Sequence, residues 1–336
     1  MTRFQALQGL EVSGYHRHRL HQDGCVWVEK NCYVDVFIEL LHAMGLEPLA
    51  VMGACITLDF EGDNFTFFKP QHEELRRLYG VDVQELNVWR PLVEHAAEHL
   101  AAGKFLSTEA DSFYLPDTEG TDYRRNHVKT TIILADLDLS ARRLGYFHNA
   151  GYHALEGEDF VQFFRLEAEP DPAFLPLFAE VVRVDRLVRR PQSELARLSR
   201  ELLATHLARR PETNPLIRFQ RRFERDLPDI QARGLDYYHA WAFATVRQVG
   251  AAFELLACHL RWLAPDEPDR ALSQAADEFD RLSLVAKTFI LKAARAVNAR
   301  RPMDASASFT EMAQAWDRGM TLLARPPAVK LSERIA

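Results

Sequence analysis

The hydrophobic pattern changes character halfway along the chain, and this change limits the folds open to it. Residues 105–115 and 127–134 are strand-like, and the second run is rich in β-branched residues. After about residue 170, apolar residues recur at three- and four-residue steps in long stretches. The sequence therefore predicts an α+β domain over residues 1–168, followed by an all-α helical bundle over residues 169–336.

The predicted elements follow from this periodicity and from caps and prolines. In the first half we expect helices over residues 31–44, 71–79 and 91–102, and a strand over 143–149 that pairs back onto 127–134 across a turn at 136–141. In the second half we expect helices over residues 192–208, 215–226, 235–263, 269–299 and 306–324. Prolines at 211, 228, 265–268 and 302 are predicted to separate them.

Composition restricts the class of protein further. Hydrophobic residues make up 47% of the 336 residues, which is enough for a packed core in each half. The apolar stretches are too short to cross a bilayer, and no secretory signal is visible at the N-terminus. Four cysteines in a chain of this length do not resemble a disulfide framework. We therefore expect a cytoplasmic protein with reduced thiols and no membrane partner.

Cys32 is the first candidate for chemistry, because it falls in the first turn of the predicted helix 31–44. Asn31 is the expected N-cap of that helix. The free N–H groups and the dipole at this end favour the thiolate, which is the nucleophilic form of cysteine. The alternative is that Cys32 is a small buried core residue, the usual position of a free cysteine.

His127 is the candidate base, since a nucleophilic cysteine needs an imidazole to accept the thiol proton. With a turn centred near Asp138, residues paired across the predicted hairpin have numbers that add to about 276. This register would bring Asn149 beside His127 as the group that orients the ring, whereas a slip of one or two residues would put His148 or another neighbour there instead. The alternative for His127 is a structural hydrogen bond at a strand edge.

Four segments together resemble a bacterial family that is catalogued only as a domain of unknown function, number eighteen thirty-nine. The likeness covers nearly the whole chain and rests on the segments Trp27-Val-Glu-Lys-Asn-Cys-Tyr-Val-Asp35, Asp111-Ser-Phe-Tyr-Leu-Pro116, His127-Val-Lys-Thr-Thr131 and Tyr146-Phe-His-Asn-Ala-Gly-Tyr152. More distantly, the order of these segments resembles the N-terminal, papain-like acyltransferase domain of the butirosin biosynthesis protein H.

The resemblance implies a cysteine-dependent acyltransferase that takes an acyl group from a carrier-protein thioester or an amide to an amine. Cys32, His127 and Asn149 would match its catalytic triad, although an Asp is commoner at the third position. Trp27, Glu29 and Asn31 would line the oxyanion and substrate cleft. Members of the closer family are encoded near nonribosomal peptide assembly genes, which implies peptide-like secondary metabolism.

Two other functions remain open on the same fold. A cysteine peptidase or amide hydrolase would use the same triad with water as the acceptor. A binding or scaffold protein would keep the fold without turnover. No cofactor is indicated, and a carrier-bound donor would present its acyl group on phosphopantetheine. The implied partners are an acyl carrier protein and a small-molecule amine.

A basic stretch lies inside an otherwise acidic protein. Residues 181–226 hold 12 Lys and Arg against 6 Asp and Glu, whereas the whole chain carries a net charge of −7. Within this stretch Arg221, Arg222 and Arg225 could dock an acidic carrier protein. The alternative is ordinary helix surface, with arginines paired to nearby carboxylates. No nucleic-acid motif is present.

Two further patterns are rich in histidine and could indicate a binding site. His95, Glu98 and His99 have the H-x-x-E-H spacing of some zinc peptidases, but they also form the polar face of the predicted helix 91–102, and we expect no metal. The basic cluster at residues 16–21 holds three histidines and two arginines. Charged segments near a terminus are usually solvated, so we expect an exposed arm there.

Overall fold

The computed structural model describes residues 3–169, 176–264 and 270–324. The chain divides into two compact units, which comprise the described residues of Met1–Val51 with Lys69–Leu195 and of Met52–Phe68 with Ala196–Ala336. These units differ from the predicted domains 1–168 and 169–336. The strand Ala179–Arg183, which lies beyond the predicted boundary, completes the sheet of the first unit. The early segment Met52–Phe68 belongs to the second unit. The predicted proline break at 265–268 lies outside the described residues.

The first unit is built on one antiparallel sheet of seven strands. Hydrogen bonding gives the order β4-β9-β5-β6-β7-β8, with β1 paired to β6 beyond this path. The strands are β1 (Arg3–Gln5), β4 (Asp82–Glu85), β5 (Phe105–Asp111), β6 (Lys129–Asp138), β7 (Arg143–His148), β8 (Gly151–Glu156) and β9 (Ala179–Arg183). The short strands β2 (Phe60–Glu61) and β3 (Asn64–Phe65) form a separate hairpin in the second unit.

Four helices belong to the first unit: α1 (Cys32–Ala43), α2 (His72–Tyr79), α3 (Leu92–Ala101) and α4 (Glu158–Phe164). Helix α1 packs on β6, β7 and β8 and is almost entirely buried. Helix α3 packs on β5 and β6, and the core on this side also includes Leu106, Leu134, Tyr146 and Phe160. Because Leu134 alternates with Ile133 along β6, the sheet buries apolar side chains on both faces, and this accounts for the strand-like runs.

Helix α1 begins and ends where the sequence predicts. Gly45 follows the helix with φ +69°, a conformation that glycine adopts without steric cost. Its N–H donates to the carbonyl of His42, and that of Leu46 to the carbonyl of Leu41. The helix therefore ends at Ala43. Because most of its side chains are buried against the sheet, its N-terminal end at Cys32 has a fixed position on the sheet.

The second unit is helical in the described residues apart from the β2–β3 hairpin and loops. Its helices are α6 (Pro215–Arg233), α7 (Leu235–Ala244), α8 (Val246–Leu263), α9 (Arg270–Asn298), α10 (Ser306–Leu323) and, from Ala196 onward, most of α5 (Gln192–Ala208). A mixed α/β chain with an N-terminal sheet domain and a C-terminal helical region is thus confirmed. None of the described helices has the length and apolar character that a membrane span requires.

Two predicted helix limits in this unit were wrong. Pro228 does not end α6, which continues to Arg233. A proline removes one backbone hydrogen bond, and the buried side chains of Phe223 and Ile230 hold the helix on both sides of it. The predicted helix 235–263 is interrupted at Thr245, where φ and ψ are −123° and −86°, so that two helices form.

Candidate functional site

Cys32 is the first residue of α1, and the residue before it shapes this helix end. The side-chain oxygen of Asn31 accepts hydrogen bonds from the backbone N–H groups of Tyr33 and Val34, at 3.1 and 2.9 Å, which confirms it as the N-cap. Cys32 is half-buried, and its Sγ donates to Oγ1 of Thr131 on β6 at 3.7 Å. The thiol therefore sits at the positive end of a helix dipole, where negative charge is favoured.

A buried cluster of ionisable side chains fixes the segment before α1. The ring of His21 contacts Glu39 through Nδ1 and Asp35 through Nε2, the latter at 3.0 Å, and all three side chains are fully buried. Asp35 also accepts a hydrogen bond of 2.9 Å from the backbone N–H of Lys30. Because Lys30 lies two residues before Cys32, these contacts fix the backbone that leads into the first turn of α1.

Hydrogen bonding decides the charge state of this cluster. Burial alone would lower the pKa of His21, but the hydrogen bonds to Asp35 and Glu39 outweigh burial and raise that pKa above its ordinary value. Burial alone would raise the pKa of Glu39, but the contact with His21 lowers it below the ordinary value. The ion pair is therefore favoured in the folded protein.

The prediction of a solvated arm over residues 16–21 is wrong for two of its histidines. His21 is fully buried, and His18 is 7% exposed, with its backbone N–H donating to Glu39 at 3.0 Å. Asp35 and Glu39 are four residues apart, so both carboxylates lie on one face of α1. Two acidic residues on one face of an otherwise apolar helix were the signal that could have indicated a buried cationic partner.

His127 lies just before β6 and is held by a carboxylate of the neighbouring strand. Its Nδ1 donates to Oδ2 of Asp111 at 2.6 Å. Its ring stacks on Phe113, with centroids 4.4 Å apart and planes 11° from parallel. The side chain is 66% exposed, and in the part of the chain that the structure describes nothing hydrogen-bonds to its Nε2. One ring nitrogen is thus oriented while the other remains open.

The strand register relates this pair to Cys32. Thr131, which contacts the thiol, pairs directly with Glu109 on β5, and Asp111 follows two residues later. Directly opposite residues and alternate residues share a face, so Glu109 and Asp111 lie on the face that α1 covers. From strand spacing, the Cα of Asp111 is about 7 Å along the strand and about 5 Å across from that of Thr131. The imidazole and the thiol therefore occupy one end of the sheet.

A cavity of about 470 Å³ opens beside His127. It is lined by Asp111, Tyr114 and His127, and by residues in and after α4 that include Val161 and Phe163. Cys32 is not among the lining residues and instead contacts Thr131. The structure thus brings His127 together with Asp111 and a cavity, whereas the thiol contacts β6 near the same end of the sheet.

The predicted strand register, which paired Asn149 with His127, is wrong. It assumed that the numbers of paired residues add to 276, four less than the structure shows. At this end of the hairpin Ile133 pairs with Phe147, so paired numbers add to 280. The turn follows Asp138 instead of centring on it, and a bulge shifts the register before Asp136. Asn149 falls in the two-residue turn between β7 and β8, with φ +45°.

The carboxylate that holds His127 is therefore Asp111, which the sequence reasoning missed. Asp111 is the first residue of the six-residue segment that ends at Pro116. In the sequence, this segment indicates only a resemblance to a family. Its Oδ1 also accepts the backbone N–H of Phe113 at 3.0 Å, which fixes the carboxylate. Pairing the predicted strands 105–115 and 127–134 as neighbours would have brought Asp111 close to His127.

The predicted oxyanion and cleft residues differ in exposure. Trp27 and Asn31 are buried, whereas Glu29 is exposed. The side-chain oxygen of Asn31 is engaged by the helix cap. The roles of all three stay predictions.

A second histidine–aspartate pair lies on the opposite face of the sheet and was also missed. His148 donates from Nδ1 to Asp117 at 2.6 Å, and its Nε2 accepts from the hydroxyl of Thr130 at 2.9 Å. Tyr146 donates to the other oxygen of Asp117 at 2.5 Å. Thr130 is 7% exposed and His148 is 1% exposed. The order hydroxyl, imidazole, carboxylate resembles a catalytic triad, but the side chains are buried in the core.

The H-x-x-E-H residues of α3 differ in exposure: His95 is buried, whereas Glu98 is exposed and His99 is half-buried, so they do not form one exposed polar face. Glu98 is paired with Arg90, and the rings of His95 and His99 stack with centroids 6.3 Å apart. Among the residues that the structure describes, no three His, Cys, Asp or Glu side chains are grouped to hold a metal ion.

The three arginines proposed for docking are not equivalent. Arg222 pairs with Asp226 at 2.5 Å and donates to the carbonyl of Gly62 at 2.8 Å, so it ties the β2–β3 hairpin to α6. Arg221 and Arg225 are exposed, and Arg225 lies 3.8 Å from Asp226. The alternative of ordinary helix surface therefore holds for Arg222.

The fold and the site together define a two-unit protein whose sheet domain presents a cysteine at a helix terminus. Residues 16–184 match the DUF1839 N-terminal domain, and residues 192–325 match the DUF1839 C-terminal domain. The chain therefore belongs to the DUF1839 family, as its motifs predicted. A search of curated proteins finds no match to the chain.

Proposed function

We propose that this protein is a cysteine-dependent acyltransferase of papain-like architecture, with Cys32 as nucleophile, His127 as base and Asp111 as the group that orients the imidazole. The observation that carries the proposal is the placement of an oriented, exposed imidazole at the end of the central strands β5 and β6 where the helix-terminal thiol also contacts β6. Papain-like enzymes combine these elements: a cysteine at a helix start and an imidazole held by a neighbouring polar group.

Each group has a defined task in the reaction. The Cys32 thiol gives its proton to Nε2 of His127, and the thiolate attacks the thioester carbonyl to form a C–S bond. The helix N-terminus stabilises charge near the developing oxyanion. The donor thiolate then leaves and takes the proton from His127. An amine subsequently attacks the acyl-cysteine, an amide forms, and Cys32 regains its thiol.

The proposal requires the thiol and the imidazole to approach each other when substrate binds. Catalytic hydrogen bonds in ligand-free sites are often long and shorten when substrate binds. His127 is two-thirds exposed while Asp111 holds its Nδ1, so its other ring nitrogen is accessible to a bound substrate. The alternative function, a binding protein without turnover, draws on the contact of Cys32 with a hydroxyl in place of an imidazole.

Intact-protein mass spectrometry tests the proposal. The protein is incubated with aminoacyl thioesters of N-acetylcysteamine, which mimic the end of phosphopantetheine. We expect a mass increase equal to one acyl group, absent in Cys32→Ala and retained in Cys25→Ala. Cys25 is a suitable control because it is also half-buried and lies in the same unit. An absence of acylation in the wild-type protein, or acylation that persists in Cys32→Ala, would contradict the proposal.

Docking of an acyl carrier protein is a second part of the proposal, and it rests on the exposed cations of α6. Arg221 and Arg225 provide positive charge without serving the hairpin contacts that Arg222 makes. We expect Arg221→Glu with Arg225→Glu to slow acylation from a carrier-bound donor and to leave the small thioester unaffected, with a difference that shrinks as salt rises. Equal slowing with both donors would remove the docking role.

A further inference from the structure

Another polar cluster lies around Tyr33, the residue that follows Cys32 in α1. The hydroxyl of Tyr33 donates to Oε2 of Glu180 at 2.8 Å and lies 2.7 Å from Nε2 of His72. Glu180 is 3% exposed, whereas the His72 side chain is 31% exposed at the start of α2. Nζ of Lys69 lies 5.1 Å from the centre of the Tyr33 ring. A buried carboxylate is thus connected to a partly open imidazole through one phenol, and Nε2 of His72 also lies 3.5 Å from Oε1 of Glu180.

The hydrogen-bond directions determine which ring nitrogen is free. The Tyr33 hydroxyl has one proton, which it donates to Glu180, so its oxygen accepts from Nε2–H of His72. Nδ1 of His72 then carries the lone pair. Burial lowers the pKa of His72 and outweighs the opposing effects of Glu180 and Asp82, while Lys69 lowers it further. The ring is therefore neutral near pH 7 and able to accept a proton, and Glu180 stabilises the imidazolium that results.

The cluster faces the same side of the sheet as the thiol. Glu180 on β9 pairs with Ser107 on β5, and the other edge of β5 pairs with β6, where Thr131 meets Cys32. One strand therefore separates the two sites, which places β9 about 10 Å from β6. Tyr33 directly follows Cys32 in the chain, so both sites share the first turn of α1.

We propose that His72, relayed through Tyr33 to Glu180, is the base for the acceptor amine in the second half of the reaction. This inference rests on the acyltransferase function proposed above. As the amine nitrogen bonds to the acyl carbon, it loses a proton to Nδ1 of His72, and the C–S bond to Cys32 breaks. The products are an amide and the Cys32 thiolate, which regains the proton from the imidazolium. His127 serves the first half-reaction and His72 serves the second.

The test separates the two halves. Wild type, His72→Gln and Tyr33→Phe are acylated with alanyl-N-acetylcysteamine, freed of excess donor, and then treated with n-propylamine while intact mass is followed. We expect all three to be acylated at similar rates and the two variants to transfer the acyl group to the amine at least tenfold more slowly. His99→Gln is the matched control, because His99 is another partly exposed helix histidine. It should transfer at the wild-type rate.

The pH profile adds a readout that a purely structural role would not change. After correction for the fraction of unprotonated n-propylamine at each pH, the wild-type transfer rate should fall on acidification as His72 takes up a proton, and this remaining fall should be absent in His72→Gln. Tyr33→Phe keeps the ring in the core, so a loss of transfer with unchanged acylation cannot be attributed to unfolding. If acylated His72→Gln and wild type transfer equally fast, this inference fails alone. If wild type is never acylated, the acyltransferase proposal fails with it.

Discussion

Two histidine–aspartate pairs in the first unit have the same local geometry and opposite environments. In each, Nδ1 of the imidazole lies 2.6 Å from a carboxylate oxygen. His127 with Asp111 is open to solvent and to a cavity, whereas His148 with Asp117 is buried and its second nitrogen is occupied by Thr130. A hydrogen-bonded histidine–carboxylate pair therefore does not by itself mark an active site. Access to the second ring nitrogen separates a candidate catalyst from a core contact.

The energetic consequences of the two environments also differ. An exposed ion pair contributes below about 1 kcal/mol to stability, whereas removing one partner of a buried pair costs about 3 to 5 kcal/mol. Burial raises the cost of an unpartnered Asp117, and the hydrogen bond from His148 brings the pKa of this carboxyl below its ordinary value. The comparison therefore predicts that activity depends on the first pair and stability on the second.

The largest expected effect is on activity. His127→Ala should lower kcat/KM for a small thioester by about 10²- to 10⁴-fold, because a positioned general base contributes that much. Its free energy of unfolding should change by less than about 1 kcal/mol, as expected for an exposed pair. Steady-state kinetics and urea unfolding measure the two quantities. Full activity in a folded His127→Ala protein would remove the first pair from the mechanism.

The buried pair should give the reverse result. His148→Ala leaves Asp117 buried without its imidazole, and we expect the free energy of unfolding to fall by about 3 to 5 kcal/mol. Asp111→Asn, in the exposed pair, is the matched comparison and should lose less than about 1 kcal/mol. Urea unfolding of both variants tests this. Equal stability of the two would mean that the difference in burial has no energetic consequence.

A third histidine, the buried His21, extends the comparison to pH. His21 has its pKa raised above the ordinary 6.5, so its stabilising effect is complete below that value and is lost as pH rises through the folded pKa. Glu39 has its pKa lowered below 4.5, so its effect is present above that value and is lost as pH falls through the folded pKa. The pair should stabilise most between 4.5 and 6.5, by about 1.4 kcal/mol for each unit of pKa difference.

Urea unfolding from pH 4 to pH 9 measures this window. In wild type the free energy of unfolding should decline above neutral pH, and Glu39→Gln should flatten that decline, because the imidazolium loses its carboxylate partner. A decline of the same size in both proteins would assign it to other groups.

The smallest effect is expected at Asn149, which the sequence placed beside His127. The structure puts it in a turn at φ +45°, where glycine is tolerated as well. Asn149→Gly should therefore change stability by less than about 1 kcal/mol and leave kcat/KM within about twofold. A large loss of activity without unfolding would restore Asn149 as a group that orients the base.

The sequence predicted most of the architecture because local signals determine it. Helix α1 has a capping Asn31, a continuous apolar face and a terminating Gly45, and each of these acts within a few residues. The start and end of α1 were therefore predicted within a residue. Strand existence was predicted for the same reason, since β-branched residues cluster in β6.

The parts that failed depend on distant residues. The register of β6 and β7 is set by a bulge before Asp136, which leaves no clear mark in the sequence. The burial of His21 depends on carboxylates 14 and 18 residues away. The link between Asp111 and His127 depends on strand pairing across a loop. Cys32 and His127 could thus be nominated from sequence, but their partners required the folded arrangement.

Alkylation of Cys32 by iodoacetamide tests the central claim most directly. Peptide mapping compares Cys32 with Cys25 in wild type and His127→Ala from pH 5.5 to pH 9.5. We predict that Cys32 reacts at least tenfold faster than Cys25 at pH 6, because it lies at the N-terminus of α1 and His127 is its proposed base, and that His127→Ala removes most of this advantage. Equal reaction of Cys32 and Cys25 throughout this range, unchanged in His127→Ala, would contradict the account.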